Sequence, residues 1–352
     1  MKISKIAMGC ALLRARLTGR RFPFLVNWAI TGRCNLRCRH CYGLYGVGQT
    51  AELPKETVLR TVDTLRAMGT RRITLEGGEP LVRPDIVELV DYIHGKGIEM
   101  ALCTNAVLLA KYLDALQDKI DLFVLSLDGR QEYNDWLRGN GTYEKVIEAL
   151  GLLAERGIRP LLFCCLVDDN LGDVDLMVSV ARQYGAYVTF NVAVGQAGEG
   201  ARVPLAKRTD EAYRDAIRRI LEHKRDGAPI YYSRNTYEQA LHWPSFAIES
   251  YDAASLAQVC ASERRHFVRC VAGRFWCYIE CNGDVYPCYQ LVNTLPVKNI
   301  ERDGMRAAFA HLASLRFCCR CYNMTLSELN LQAQLNPRAV LRVVKNYFLH
   351  KP

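Results

Sequence analysis

TGRCNLRCRHCY, from Thr31 to Tyr42, decides how the rest of the chain is read. Its cysteines, Cys34, Cys38 and Cys41, stand in a C-x3-C-x2-C spacing. A loop this tight cannot close a relaxed disulfide network, but it can converge three thiolates on one small object. Iron–sulfur clusters are held by cysteine thiolates, usually four of them. Three thiolates leave one iron of a cubane without a protein ligand, open to a substrate or cofactor. A zinc knuckle is the alternative, but zinc sites normally take four ligands in paired spacings.

Outward from that loop, 352 residues suit one large or two medium domains. The chain is long enough for a proper core. A secreted scaffold with fifteen cysteines would be short and Cys-dense. Here the cysteines gather in two clusters near the ends of an ordinary globular chain, which favours metal ligation in a reducing cytosol. No apolar run reaches the length of a membrane span.

The charge is uneven. Residues 1–51 hold nine Lys and Arg and no acid, and residues 329–352 hold four and none. With a net charge of +9 for the whole, the body is mildly acidic and both ends are basic, which bears on partners. In residues 3–18, Ile3, Ile6, Leu13 and Leu17 fall close to helical spacing beside Arg14 and Arg16. Lys2 and Lys5 ahead of an apolar patch imitate a secretory signal. The patch is short, however, and Ala-Met-Gly before Cys10 is a poor lipoprotein cleavage site. A helix is expected there, either covering the open bottom of a barrel or binding a surface.

Asn336–Lys351 has Pro337 suited to a first helical turn. Val340, Val343, Val344, Tyr347 and Phe348 follow at helical spacing, flanked by Arg338, Arg342, Lys345 and Lys351. Basic residues near an anionic membrane contribute about 1 kcal/mol each. Peripheral contact with an anionic inner membrane face is therefore one expectation for the ends, and docking on the body is the other. Neither end interleaves aromatics in the way that stacks nucleic-acid strands, so no nucleic-acid partner is expected.

The body alternates strand-like runs with amphipathic helices. Strands are expected over Phe24–Ile30, Arg72–Glu76, Glu99–Cys103, Leu122–Leu127, Pro160–Val167 and Tyr187–Val192. Helices are expected over Lys55–Met68, Ile86–His94, Leu108–Leu116, Tyr143–Glu155 and Val174–Tyr184. Such alternation implies a parallel sheet with right-handed crossovers. Six repeats make an α/β fold with a partial, TIM-like (β/α)6 barrel, whose active site lies at the C-terminal strand ends.

The cysteine loop followed by Tyr42 resembles that of the radical S-adenosylmethionine (SAM) enzymes, and further motifs join it. Gly77-Gly78-Glu79-Pro80, after the second strand, is similar to the family's GGEP motif. Two glycines let backbone approach a ligand closely, and the resemblance gives Glu79 to the SAM amino group. Thr104-Asn105 resembles a T-N-G turn, with Ala106 in place of the glycine. Ser126-Leu127-Asp128-Gly129 ends the fourth strand, where Ser126 and Asp128 offer groups to ribose or the SAM carboxylate. Arg138 resembles an arginine that pairs with that carboxylate, a role that suits the guanidinium fork; a solvated loop arginine is the alternative. Asn191 is placed at the adenine site. Cys164 and Cys165 read as core packing, with one of the pair facing the barrel interior.

A second cysteine-rich stretch runs from Cys270 to Cys321. Cys270, Gly283 and Cys288 give C-x12-G-x4-C around an Asn282-Gly283-Asp284 turn between short strands. Cys318 and Cys321 follow, and four thiolates suit a cubane or a structural zinc. This resembles the SPASM/Twitch extension of radical SAM enzymes. No cysteine follows Cys321, which favours the shorter Twitch form with one auxiliary 4Fe-4S cluster held by Cys270, Cys288, Cys318 and Cys321. Cys260, Cys277, Cys281 and Cys319 remain in excess, so a second auxiliary cluster stays open.

The resemblance covers residues 24–322. The expected organisation is a basic helix at 1–23, the barrel at 24–200, a linking helical region at 201–258, a small Cys-rich α+β domain at 259–325 and a basic helix at 326–352. What it implies is a 4Fe-4S cluster on Cys34, Cys38 and Cys41 that chelates SAM and cleaves it reductively. The resulting 5′-deoxyadenosyl radical takes a hydrogen atom from a substrate. An external low-potential electron donor, flavodoxin or ferredoxin-like, is implied as a partner. The substrate is open between a peptide or protein and a small molecule or lipid. A non-catalytic iron–sulfur or zinc protein is the rival class, disfavoured because an electron carrier has no use for the strand-end motifs.

Overall fold

The computed structural model describes residues 15, 17–41, 43, 45–46, 52–194 and 209–336. The helices expected at the two ends therefore fall almost wholly outside the described residues, as do Tyr42 and residues 195–200. Six parallel strands, β1 (Leu25–Thr31), β2 (Arg72–Gly77), β3 (Glu99–Thr104), β4 (Leu122–Ser126), β5 (Leu161–Leu166) and β6 (Tyr187–Val192), lie side by side in sequence order. Helices α1 (Lys55–Met68), α2 (Ile86–Gly95), α3 (Leu109–Leu116), α4 (Gln131–Arg138), α5 (Thr142–Glu155) and α6 (Val174–Gln183) connect them.

The local causes are plain. In α1, Val58, Val62 and Leu65 recur at helical spacing and are buried, and Gly69 closes the helix at φ 110°. Along the strands, Val26, Trp28, Ile30, Ile73, Leu75, Met100 and Leu102 belong to the core shared with the helices. Alternation then turns Asn27, Thr74, Glu76 and Cys103 to the inner side of the partial barrel. It also separates the adjacent thiols: Cys164 lies in the helix-side core, while Cys165 faces inward.

The sheet does not stop at β1. After the short strand β7 (Ser250–Tyr251), β8 (Trp276–Ile279) pairs in parallel with β1, Leu25 opposite Trp276 and Asn27 opposite Tyr278. Strand β9 (Val285–Tyr286) pairs antiparallel with β8, and Gly283 takes φ 91° in the expected turn. The cysteine-rich extension is thus continuous with the barrel sheet. Strand β10 (Arg320–Cys321) pairs with β7.

Two helices depart from expectation. Gln131–Arg138, which the sequence pattern leaves unassigned, is a helix of mostly polar residues that buries only Asn134 and Leu137. Met324–Ala333 is a core helix that buries Leu326, Ser327, Glu328, Asn330 and Leu331, and it packs on β6. The basic helix expected from residue 326 does not describe it. The aromatic stretch after Tyr231 serves packing. Tyr237, Trp243 and Phe246 are fully buried, and Trp243 meets Phe267 at 4.5 Å between ring centres. Among the described residues no helix is long and apolar enough to cross a membrane.

Candidate active site at the barrel mouth

The cysteine loop leaves β1 and is held from several sides. The Gly78 N–H donates to the Thr31 carbonyl at 2.9 Å, and the Glu79 N–H to the Arg33 carbonyl at 2.9 Å. The β1–β2 pairing thereby runs on into the loop. A Cβ on Gly78 would stand 2.0 Å from the Arg33 oxygen, and one on Gly77, at φ 124°, would stand 2.5 Å from the Thr31 oxygen. The glycine pair was read as room for a ligand; in the structure that room is filled by the loop itself.

Glu52 grips Arg33 through both oxygens, at 2.7 and 2.9 Å, and also accepts from the Thr31 hydroxyl. Buried Arg83 donates to the carbonyls of Ile30 and Leu53 at 2.8 and 2.9 Å. On the far side, the Arg39 N–H donates to the Leu137 carbonyl at 2.8 Å. The Asn105 amide donates to Asn35 Oδ1 at 2.8 Å.

The three thiols are partly buried. Burial pushes the Cys34 thiol up to about 12 and raises Cys38, and the neighbouring thiols add to the cost of charge. Metal binding would displace those protons. Among the described residues no three His, Cys, Asp or Glu side chains are arranged to hold a single metal ion. Three thiolates from one loop suit a four-iron cluster, in which each binds its own iron.

Glu79 is 1% exposed and accepts from the Leu81 N–H, the Thr104 hydroxyl and the Asn105 N–H at 3.1, 2.8 and 2.7 Å. Burial raises its carboxyl to about 7 against those bonds. Ala106, in place of the family's glycine, adopts φ 68°.

Asp128 is fully buried. It accepts from Arg138 Nε at 2.6 Å and from the Cys165 N–H at 2.7 Å, with His40 Nε2 at 3.4 Å. Its carboxylate is therefore committed to positioning Arg138, where a contact with ribose was expected. Arg138 closes α4 with its side chain only 10% exposed, which sets aside the alternative of a solvated loop arginine. Ser126 stands at the end of β4. Asn191 is buried and its Oδ1 accepts from the Met324 N–H at 2.8 Å. It tethers the Met324–Ala333 helix to β6.

The second cysteine set also converges. Cys270, Cys288 and Cys321 all feel one another and Cys318 electrostatically, and burial raises all four thiols, Cys270 to about 12. The Cys270 N–H donates to the Cys319 carbonyl at 3.0 Å, which ties the two segments together. Of the extra cysteines, Cys277 lies in the barrel core and is raised by burial alone. Cys281 sits beside Glu280, and Cys260 is exposed.

Several residues escaped sequence reasoning: Asn35, His40, Glu52, Glu76, Arg83, Tyr45 and Glu280. Asn35 and His40 lie inside the quoted stretch. Glu76 directly precedes the glycine pair, and strand parity alone would have turned it inward. Glu52 carries no local signal, because its partner Arg33 lies 19 residues away, and Arg83, though paired with nearby Asp85, reaches the loop through carbonyls 30 and 53 residues away.

Comparison with known proteins agrees with this geometry. Residues 28–181 match the family described as the radical SAM superfamily. The mycofactocin maturase MftC of Mycobacterium ulcerans (strain Agy99) is 30% identical over 288 residues, covering 80% of this chain and 73% of that protein. The AdoMet-dependent heme synthase of Methanosarcina barkeri (strain Fusaro / DSM 804) is 24% identical over 297 residues, 76% of each. The fold is similar to that of Streptococcus suis SuiB bound to precursor peptide SuiA, with a TM-score of 0.65 at 16% identity, covering 93% of this chain and 76% of that one. With its open cysteine loop, its partial barrel and its cysteine-rich extension, the chain belongs to the radical SAM superfamily, in the group that carries a SPASM/Twitch extension.

Proposed function

We propose that this chain is a maturase that oxidises a peptide at the barrel mouth. Membership of the family makes it an enzyme that cleaves SAM with a 4Fe-4S cluster. When bound, that pair supplies a 5′-deoxyadenosyl radical able to take a hydrogen atom from carbon. The chain's own residues do the rest. Cys34, Cys38 and Cys41 hold the cluster on a loop clamped by Glu52, Gly78, Asn105 and Leu137. Glu79, fixed by three donors, faces the SAM amino group. Arg138, oriented by Asp128, faces its carboxylate, and Asn105 and Ser126 complete the described part of the cofactor wall.

The observation that carries the reading is the second thiol set. Cys270, Cys288, Cys318 and Cys321 lie in an extension that shares a sheet with β1, the strand that feeds the first loop. Two cluster sites joined through one sheet would suit a net oxidation: Cys34, Cys38 and Cys41 would hold the cluster that supplies the radical chemistry, and Cys270, Cys288, Cys318 and Cys321 would hold one able to take up the substrate's second electron, its proton passing to solvent. The peptide class is supported by the maturase name of the 30% identical relative. The AdoMet-dependent heme synthase keeps a small-molecule substrate as the second reading. Exposed Arg37 and Arg39 on the loop suit an acidic external electron donor. Contact with an anionic membrane rests on the sequence of the two ends, and liposome sedimentation tests it.

Anaerobic reconstitution with SAM and reductant tests the core of this reading. 5′-Deoxyadenosine should form, and Cys34→Ala, Cys38→Ala or Cys41→Ala should each abolish it. Product from any one of those variants would show that the ligands are misassigned.

A further inference from the structure

Glu76 ends β2 one residue before the glycine pair, on the inner side of the barrel. Its Oε1 is buried and meets no donor. Among the described residues no lysine or arginine answers it; the charge that acts on it is that of Glu280, of the same sign. Glu280 follows β8 and accepts from the Tyr45 hydroxyl at 3.1 Å and the Cys281 N–H at 3.0 Å. The Tyr45 hydroxyl also pairs with that of Tyr278 at 2.8 Å. Cys103 from β3 and Tyr289 from the extension both feel the charge of Glu76. Groups from β2, β3, β8, the cysteine loop and the extension thus surround one inward-facing carboxyl.

A buried carboxyl without a cation is costly, and proteins seldom keep one without use. Glu79, two residues on from Gly77, shows the contrast: it is the more enclosed of the two, yet it takes three donors. Burial raises Glu76 to about 8, so binding a cation there would recover charge that the folded chain alone cannot support. The wall around it comes from both the barrel and the extension, the position a substrate of both sites would occupy.

We propose that Glu76, with Glu280 opposite, holds an ammonium group of the substrate inside the barrel mouth. The pair thereby selects a substrate segment carrying an amine-bearing side chain next to the carbon that is oxidised. This deepens the maturase reading and rests on it.

Calorimetry on the SAM-loaded holoenzyme tests the assignment with two probes of similar length, N-acetyl-lysine methylamide and N-acetyl-norleucine methylamide. The lysine probe should bind about tenfold more tightly, the step that one charge-assisted hydrogen bond makes. Glu76→Gln should erase that preference and Glu280→Gln should reduce it. Glutamine keeps the side chain's shape, and a melting curve on each variant checks that it is folded. Equal or undetectable binding of the two probes to the wild type overturns the proposal, as does a preference that survives both substitutions. The 5′-deoxyadenosine assay on the same wild-type preparation separates the two ideas. Product without a lysine preference sinks this inference alone, whereas absence of product sinks the underlying reading.

Discussion

The two cysteine sites are built in opposite ways. The first takes three thiols from eight consecutive residues, all partly exposed, on a loop whose shape is imposed from outside by Glu52, Gly78, Asn105 and Leu137. The second draws four thiols from three separated segments. Cys288 and Cys321 are buried among Phe22, Phe24, Phe275 and Leu326. The first site is local in sequence and open in space, which suits exchange with a small ligand. The second is remote in sequence and closed, so its ligands double as core. Loss of a ligand should therefore silence the first site and unfold the second.

The largest expected effect tests that contrast directly. Cys288→Ala or Cys321→Ala should lower stability by at least about 2 kcal/mol, because each removes both a metal ligand and a buried side chain. The triple Cys34/Cys38/Cys41→Ala variant should melt near the wild type and keep about four irons per chain. Equal melting losses at the two sites, read by thermal denaturation under anaerobic conditions, would erase the distinction. Zinc in place of iron in the triple variant would make the second site structural zinc.

Next comes the clamp on the loop. Gly78→Ala forces a methyl group against the Arg33 carbonyl and should cost about 1–3 kcal/mol. The displacement falls on the open site, so SAM affinity should drop while auxiliary iron is retained. Loss of iron from both sites would show that the clamp supports the whole sheet.

Glu76 lies between the two sites and titrates the wall they share. Its carboxyl stands at about 8 in the fold, above its ordinary range near 4.5. The folded state thus holds the proton more tightly than the unfolded chain does. Its contribution is fully present below about pH 4.5 and is lost as pH rises toward 8. Glu76→Gln should match the wild type in acid and exceed it by about 1–3 kcal/mol at pH 8. Glu280, Cys103, Tyr45 and Tyr289 face the same group, and a difference that shrinks with rising pH would assign the titration to one of them.

The smallest effect concerns Ala106, held at φ 68° where a glycine would rest without strain. Ala106→Gly should stabilise by about 0.5–1 kcal/mol, unless the buried methyl group contributes as much to packing.

The barrel was legible because its elements announce themselves locally. Lys55–Met68 and Tyr187–Val192 match expectation to the residue, since period and flanking turns mark them. The cysteine sets were legible through spacing. What could not be read is partner choice. Trp276–Ile279 reads as a strand, but nothing within it says that it pairs with β1. Asn191 reads as a strand-end polar group, while its use is set by a helix that begins 133 residues later. Arg138 was found by likeness, yet its dependence on Asp128 emerges only when α4 folds back over the loop. Glu76 was overlooked because the motif after it drew all the attention.

The pairing of β8 with β1 also sets a timetable. β1 emerges early from the ribosome, and its outer edge stays open until residue 276 has been made. For that interval the nascent chain offers an unpaired hydrophobic strand edge directly beside the iron-loading loop, a form prone to wrong pairing. Contacts this distant in sequence also form slowly. The sheet edge beside the first cysteine loop is therefore closed only once the C-terminal hairpin has been made and docked.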